Sequence, residues 1–464
     1  MTRAKLTQGT ISGGLMSLVL PMILGITSNL IAALFETYLL GLVGTNELAA
    51  YSFTFAVTGA LGSLSLGISI GLSSVLARTV GGGDHGEVKR LATDGLALLA
   101  VVMLVASTIG YFSIEPLFRM MGAGEDTLPL ITGYMQIWYV ALIFFSLPSM
   151  GANALRATGD ARISGTIMVA GAVLQAILDP IFIFGWFGLP ALGLEGAAWA
   201  VFISRIILCI ATFYVLIKQE DLIDFGKRTI DGVLHSWRSI LAVGLPATAT
   251  NLIGPISTAI IVSLLASYGK EAVAGFGIAS RVEALSVIPL FALSASIGPF
   301  VGQNCGAGEH VRGNQGMLVS FLWSMLWGLF VAILFFMFSD SIGGLFDDDP
   351  LVTGYTRLYL MIVPFSYGAW GVLMMASATF NSLGRPLIST SMSVVRMFVI
   401  YVPLAYIGEA FWGVAGIFGA ACISNITMGA IGFLMNRVTY GGGVSNWLGV
   451  GEISLPESKA VKSN

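Results

Sequence analysis

The sequence predicts an all-α integral membrane protein, with twelve transmembrane helices in two six-helix bundles that are related by an internal parallel repeat. Of the 464 residues, 56% are hydrophobic and only 10% are charged, whereas soluble domains carry about 25% charged residues. Apolar segments long enough to cross a membrane recur along the whole chain, and the two halves share glycine and proline positions at a fixed spacing.

Each predicted span is an apolar segment of roughly 20 residues or more, the length that an α-helix needs to cross about 30 Å of hydrocarbon. The chain holds 58 glycines, which suits close helix packing in lipid. We place the spans at about residues 13–43, 47–77, 91–113, 128–151, 162–186, 192–217, 239–268, 272–302, 315–340, 351–377, 387–408 and 412–436.

Basic residues predict the orientation. Twelve spans put both termini on one side, and the connections on that side hold most of the lysines and arginines, such as Lys5, Lys89 and Arg312. The opposite connections hold little more than Arg119 and Lys270. Because cytoplasmic loops carry the excess of basic residues, we expect both termini in the cytoplasm and the protein in the plasma (inner) membrane.

The repeat has an offset of 225 residues. GTNELAAYSF from Gly44 aligns with GKEAVAGFGI from Gly269, and Pro21 aligns with Pro246. Six spans per half is an even number, so both halves enter the membrane in the same sense, as in parallel repeats with a site between two bundles. We assign an N-lobe to residues 1–217, a cytoplasmic linker to 218–238, a C-lobe to 239–440 and a cytoplasmic tail to 441–464.

Polar residues inside the spans differ between the two halves. Scaffold requirements alone would act on both halves equally, so this asymmetry predicts that the chemistry lies in the N-lobe. At four positions the first half has a polar side chain where the second has an apolar one: Glu36 aligns with Ile261, Asn153 with Ala378, Gln175 with Ile400 and Asp179 with Leu404.

Glu36 and Asp179 are the predicted ion- or proton-coupling residues. A carboxylate in the middle of a bilayer costs at least ~2.5 kcal/mol and is a functional hypothesis by default, and removal from water favours the protonated form. Gln175 and Asp179 are four residues apart and share one helix face. We hypothesise that Glu36 and Asp179 face one another across an N-lobe cavity, with Gln175 and Asn153 as polar neighbours that contact substrate or ion.

Structural roles stay open for both acids. Glu36 would then accept a structural hydrogen bond or lie near the membrane interface, and Asp179 would brace the bend at Pro180. That proline removes the hydrogen bond to the carbonyl of Ala176, and Pro21 has the same effect in the first span. We predict a bend or hinge at each of the two prolines, close to a titratable group.

Other charged residues in the spans are interpreted as structural, stabilising the packing of helices through ion pairs. Arg281 and Glu283 lie in the eighth span, and we expect them to pair with each other or with Arg396. The three cysteines are far apart, which predicts neither a disulfide nor a metal site. Nucleophile, zinc and phosphate-loop motifs do not occur, so we expect no enzyme activity, no cofactor and transport driven by an ion gradient. The net charge of −3 gives no reason to expect nucleic-acid binding.

Several segments together resemble the MATE family of multidrug and toxic compound extruders, and within it the DinF-like branch. The resemblance covers essentially all twelve spans, and the run GQNCGAG after RVEA is its most specific element. The segments that carry it are PMILGITSNLIAALFETYLLG, GGGDHGEVKR, NALRATGDARIS, LDPIFIFG and RVEALSVIPLFALSASIGPFVGQNCGAGEHVR.

The resemblance implies export of cationic, amphipathic compounds in exchange for protons or sodium ions, by alternating access of two six-helix bundles. In the DinF-like branch the coupling carboxylates lie in the N-lobe, which matches Glu36 and Asp179. The NorM-like branch uses acids in the seventh and tenth spans, and this sequence has no comparable acid there. The family also implies a monomer whose partners are small-molecule drugs and the lipid bilayer.

Three departures from the family pattern bear on the coupling ion. Glu36 replaces the usual aspartate, Gln175 replaces an asparagine, and Val201 stands where a threonine is often found. A sodium site needs several oxygen ligands, whereas proton coupling needs only a carboxyl group. We therefore expect H⁺ coupling, in which protonation of the N-lobe carboxylates displaces the drug. The alternatives are a Na⁺-coupled antiporter of the same fold, a flippase for a lipid or lipid-linked precursor, and a channel.

Overall fold

A computed structural model describes residues 4–224, 226 and 229–441. Apart from Gly441, the predicted tail 441–464 lies outside these residues. The described residues of the first half form α1 (Ile11–Val43), α2 (Thr45–Gly82), α3 (His85–Phe112), the short α4 (Ile114–Met120), α5 (Leu128–Ala157), α6 (Ala161–Phe184) and α7 (Gly193–Tyr214). The second half forms α8 (Ile230–Ala266), α9 (Lys270–Ser286), α10 (Ile288–Gly306), α11 (His310–Gly344), α12 (Pro350–Ile362), α13 (Tyr367–Ser382), α14 (Pro386–Val394), α15 (Val402–Trp412) and α16 (Val414–Gly441).

The twelve predicted spans are confirmed. In the described part of the chain, eleven spans are continuous and apolar enough to cross a membrane. The eighth consists of α9 and α10, which meet at a 46° bend. Pro289 lies at the start of α10, where it lacks a backbone N–H and its ring crowds the preceding turn. The tenth span contains a 3₁₀ turn at Val363–Ser366 and the eleventh a π-helical stretch at Val395–Tyr401.

The connection between the lobes is shorter than the predicted linker 218–238. A π-helical turn extends α7 to Gln219, and α8 begins at Ile230. The Thr229 hydroxyl accepts a hydrogen bond from the Gly232 amide at 3.3 Å, and Asp231 lies in the first turn, two features that stabilise a helix N-terminus. The last part of the predicted linker, from Ile230, thus forms the start of a helix.

Two apolar cores correspond to the two lobes. Leu72, Leu99 and Ile131 belong to the core of the first six spans, whereas Leu265 and Phe380 belong to that of the last six. Helix α1 contributes to both cores. Its first half packs Leu15 and Leu18 into the C-lobe core, and its second half packs Leu39 and Leu40 into the N-lobe core.

Hydrogen bonds join the lobes at the end of the molecule that holds residues 4–10, 82–85, 157–161 and 306–310, here called the basic end. Gln303 donates to the carbonyl of Ala157 at 2.7 Å and accepts from the amide of Leu6 at 3.2 Å. Arg78 donates to the carbonyl of Ser382 at 2.9 Å. Along α2, most residues from 65 to 80 are buried, whereas most from 52 to 64 are exposed or half-buried. The lobes therefore close at the basic end, which the distribution of basic residues predicts to be cytoplasmic.

Close contact between the lobes requires small residues. A Cβ atom at Gly71 of α2 would lie 2.4 Å from the carbonyl oxygen of Ile240 in α8. A Cβ atom at Gly302 of α10 would lie 2.7 Å from the Cβ of Ala77. Both distances are below van der Waals contact, so these glycines allow the helices of the two lobes to touch.

We expect Gly71→Ala to open the basic end, because the added methyl group would push α2 away from α8. Overpacking of this kind costs about 1–3 kcal/mol, and the thermal unfolding temperature of the purified protein should fall. Cys305 lies half-buried near this end, so its maleimide labelling in detergent, in a Cys209→Ala/Cys422→Ala background, should become several-fold faster.

Gly62→Ala is the matched control for Gly71→Ala. Gly62 lies on the same helix, and a Cβ atom there would meet no atom within 4 Å. The Gly62→Ala variant should therefore leave the labelling rate unchanged and should not lower the thermal unfolding temperature. Equal behaviour of the two variants would contradict the role assigned to the α2–α8 contact.

Candidate functional site

Glu36 and Gln175 meet where α6 packs along α1. Gly165 of α6 allows this packing, since a Cβ atom there would lie 2.6 Å from the carbonyl oxygen of Pro21. Glu36 is buried, and its Oε2 accepts a hydrogen bond from Nε2 of Gln175 at 3.0 Å. Asp179 lies one turn beyond Gln175 on the same face and has no exposed surface. The structure thus brings together three of the four residues predicted for this site.

Arg205 of α7 completes this group, and the four residues Glu36, Gln175, Asp179 and Arg205 are here called the N-lobe cluster. The Arg205 guanidinium donates to Oε1 of Gln175 at 3.1 Å and lies over the Phe145 ring, 4.9 Å from its centroid. It interacts electrostatically with both Glu36 and Asp179. One guanidinium therefore serves two carboxyl groups.

The carboxyl group of Asp179 is the least satisfied member of the N-lobe cluster. Both of its oxygens are buried and have no hydrogen-bond partner among the described residues. Tyr51 and Tyr134 lie beside the cluster with their rings 5.8 Å apart, and both interact electrostatically with Glu36 and Asp179. Because a buried charge without partners is costly, this group is suited to gain and lose a proton or to bind a cation.

Asn153 makes its hydrogen bonds away from the N-lobe cluster, and its role beside substrate or ion stays a prediction. Its side-chain oxygen accepts from the Arg156 guanidinium and its amide donates to the carbonyl of Ser149 at 2.9 Å. Asn153 and Arg156 are three residues apart on α5 and share a helix face. This face is turned towards a cavity between the lobes.

The cavity between the lobes, here called the central cavity, has a volume of about 470 Å³, within the range of small-molecule sites. Positions related by the repeat line it together, so it lies on the axis that relates the lobes. Helices α8, α13 and α14 contribute further residues, which shifts it towards the C-lobe. The aligned lining pairs include Leu66 and Phe291, Asn153 and Ala378, and Arg156 and Asn381.

Among the described residues, Glu283 interacts electrostatically with Arg396, one of its two expected partners. Glu283 accepts hydrogen bonds from the hydroxyls of Tyr359 and Tyr367. Arg396 donates to Asn425 at 2.9 Å and lines the central cavity, and Arg281 is exposed. Tyrosine hydroxyls provide the hydrogen bonds of Glu283, and Arg396 interacts with Glu283 through its charge while it lines the cavity.

Pro21 and Pro180 both lie inside helices, in α1 and α6 respectively. Pro180 directly follows Asp179 of the N-lobe cluster, whereas Pro21 lies about four turns from Glu36 and directly before Met22. The role of both prolines as hinges stays a prediction. Within the described residues, groups of three or more His, Cys, Asp or Glu side chains that could hold a metal ion do not occur.

Arg205, Tyr51, Tyr134 and Arg156 were not among the predicted site residues. Arg205 is a charged residue within a predicted span, which is the one signal that could have marked it as a candidate. Arg156 lies near the end of its span, where basic residues usually face the cytoplasm. The tyrosines carry no sequence signal that separates them from packing residues.

The twelve spans, the two repeated lobes, the cavity between them and the buried charged cluster are features of a membrane transporter. The chain belongs to the MATE family. The family model described as MatE matches residues 7–181 and 246–407, one stretch in each half. Members of this family are transporters and not enzymes.

Relatives and solved structures support this assignment. An FAD transporter of Shewanella oneidensis is 34% identical over 91% of this chain and 94% of its own length. The probable multidrug resistance protein YoeA of Bacillus subtilis is 27% identical over 79% of this chain and 80% of its own length. The bent form of the Vibrio cholerae MATE transporter VcmN has a TM-score of 0.88 at 26% identity, and the match covers 93% of this chain and 97% of that one.

The arrangement of charges in the N-lobe cluster leads to a prediction about the stability of the protein. Arg205→Gln removes the cation shared by two carboxyl groups, so it should lower the free energy of unfolding by about 3 kcal/mol or more. Adding Asp179→Asn removes one of the stranded acids and should restore part of the loss. Thermal unfolding of the single and double variants in detergent, treated as a double-mutant cycle, measures this coupling.

Asp179→Asn alone should unfold at or above the temperature of the unmodified protein, because it removes a buried carboxyl group that has no hydrogen-bond partner among the described residues. Strictly additive effects of Arg205→Gln and Asp179→Asn would contradict a shared cluster.

Proposed function

We propose that this chain exports an organic solute by alternating access, and that proton entry through the N-lobe cluster drives the export. The observation that carries this proposal is the buried carboxyl group of Asp179, which lies beside Glu36 and shares Arg205 with it. Export as the direction is supported by curated relatives named multidrug export protein.

Charge balance suggests how the cluster would work. With both carboxyls ionised and Arg205 charged, the buried group has a net charge of −1, and one bound proton makes it neutral. Low dielectric surroundings favour the neutral state. A conformational change that exposes the cluster to one side of the membrane and then to the other would therefore carry one proton per cycle.

The hydrogen bonds of Gln175 support protons over sodium ions. Its oxygen accepts from Arg205 and its nitrogen donates to Glu36, so the amide oxygen is already engaged. A sodium site would need several free oxygen ligands, and the guanidinium adds a positive charge beside it. Sodium coupling stays the alternative that the experiment below distinguishes.

Two substrate classes are supported by different observations. Relatives named multidrug resistance or multidrug export proteins support cationic, amphipathic drugs. The FAD transporter, which has 34% identity over nearly the whole chain, supports a flavin dinucleotide. The two arginines in the central cavity agree better with the second class.

Transport by the purified protein in liposomes tests the proposal. Efflux of ethidium and of FAD should each be followed under an imposed pH gradient and under an imposed sodium gradient. We expect flux with the pH gradient alone, because one proton balances the N-lobe cluster. Glu36→Gln and Asp179→Asn should each reduce it at least tenfold, whereas Asp126→Asn, an exposed acid in the α4–α5 loop, should leave it unchanged.

The other outcomes each exclude part of the proposal. Flux driven by sodium alone would show that the cluster binds Na⁺. Full activity of both N-lobe variants would place the coupling elsewhere. Folded protein that moves neither compound under either gradient would favour a flippase for a lipid or lipid-linked precursor.

A further inference from the structure

The charge of the central cavity is entirely positive. Among the residues that line it, the only charged ones are Arg156 and Arg396. Neither takes part in an ion pair with a described residue. Arg396 interacts electrostatically with Glu283, which does not line the cavity. A cationic substrate would therefore meet two like charges in the lining, and an anionic one would meet two guanidinium groups.

Arg156 is held in the cavity wall by neutral groups. Only 6% of its surface is exposed. The guanidinium donates hydrogen bonds to Sδ of Met22 at 3.0 Å, to the Ser164 hydroxyl at 3.3 Å and to the side-chain oxygen of Asn153. Its Nε has no hydrogen-bond partner among the described residues. A thioether is a weak acceptor, so the guanidinium keeps donor capacity for a stronger ligand.

The rest of the lining suits a ligand with both polar and aromatic parts. The side-chain oxygen of Asn381 and the hydroxyl of Ser389 are buried without a hydrogen-bond partner among the described residues. Trp370 and Phe291 lie nearly perpendicular, with ring centroids 6.1 Å apart, and both line the cavity. An aromatic ring stacked on Trp370 would place polar substituents near these groups.

We infer that the central cavity binds an aromatic organic anion of the nucleotide class, with Arg156 and Arg396 as the ligands of its phosphate. Guanidinium groups bind phosphate oxygens through charge-assisted hydrogen bonds, which are stronger than neutral ones. An anion would also compensate the buried positive charge of Arg156, which forms no ion pair with a described residue. This inference names the substrate class and rests on the proposed transport function for its physiological meaning.

Equilibrium binding to the purified protein tests the inference without any gradient. Flavin mononucleotide and riboflavin share one aromatic ring system and differ by a single phosphate, and Trp370 provides a quenching group for flavin fluorescence. We expect flavin mononucleotide to bind about tenfold or more tightly than riboflavin, as a charge-assisted contact predicts. Ethidium should bind more weakly than either.

Substitutions locate the phosphate site. Arg156→Gln and Arg396→Gln should each weaken the binding of flavin mononucleotide about tenfold or more and leave that of riboflavin unchanged. Arg156→Lys should retain part of the preference because it keeps the charge. Arg357→Gln, which removes an exposed arginine that pairs with Asp340 at 3.0 Å, should have no effect.

The binding measurements and the transport test can fail independently of each other. Equal affinities for the two flavins, tighter binding of ethidium, or an unchanged preference in both arginine variants would overturn the inference. Glu36→Gln should bind flavin mononucleotide normally even where it abolishes proton-driven flux. A failure of the coupling proposal would therefore leave the binding result intact. A failure of the binding inference would likewise leave the result of the transport test intact.

Discussion

A charge inside a bilayer must be neutralised by a partner, a proton or a ligand, and the polar interior of this protein follows that constraint. Glu283 accepts hydrogen bonds from the hydroxyls of two tyrosines, so the protein itself provides its partners. In the N-lobe cluster, two carboxyls share one arginine, so a neutral state needs a proton. In the central cavity, the lining carries two arginines and no acid, and only Arg396 interacts with an acid outside it, so a neutral state at Arg156 needs a ligand. The proposed proton and substrate sites are thus two places, among the described residues, where the protein's own charges do not balance.

Two helices connect the proton site to the substrate site. Helix α1 provides Glu36 to the N-lobe cluster and Met22 to Arg156. Helix α6 provides Gln175 and Asp179 to the cluster and Ser164 to Arg156. Both helices contain a proline between or beside these contacts, and the first half of α1 packs into the C-lobe core. A change in the charge of the cluster therefore acts on the same helices that hold the cavity arginine and touch the opposite lobe.

The sequence predicted the architecture well because hydropathy and repeat spacing are local or periodic signals. The asymmetry between the halves also predicted that Glu36, Gln175 and Asp179 belong together. Contacts between distant helices were harder to predict. Arg205 was visible as a charge in a span, but the identity of its partners depends on how α7 packs against α1 and α6. Helix periodicity gives the face of α5 and not its neighbours, so the contact of Asn153 with Arg156 was not predicted. Arg156 resembled an ordinary basic residue at a span end.

The central claim is that a buried carboxyl group of the N-lobe cluster carries an exchangeable proton. Infrared difference spectroscopy of the purified protein across a pH titration tests it directly, because a protonated carboxyl has a stretching band that an ionised one lacks. We predict a band that titrates with pH, shifts in heavy water and is lost or altered in both Glu36→Gln and Asp179→Asn. A spectrum without such a band, or with one that both substitutions leave unchanged, would mean that the cluster is a permanent ion network and would contradict the account.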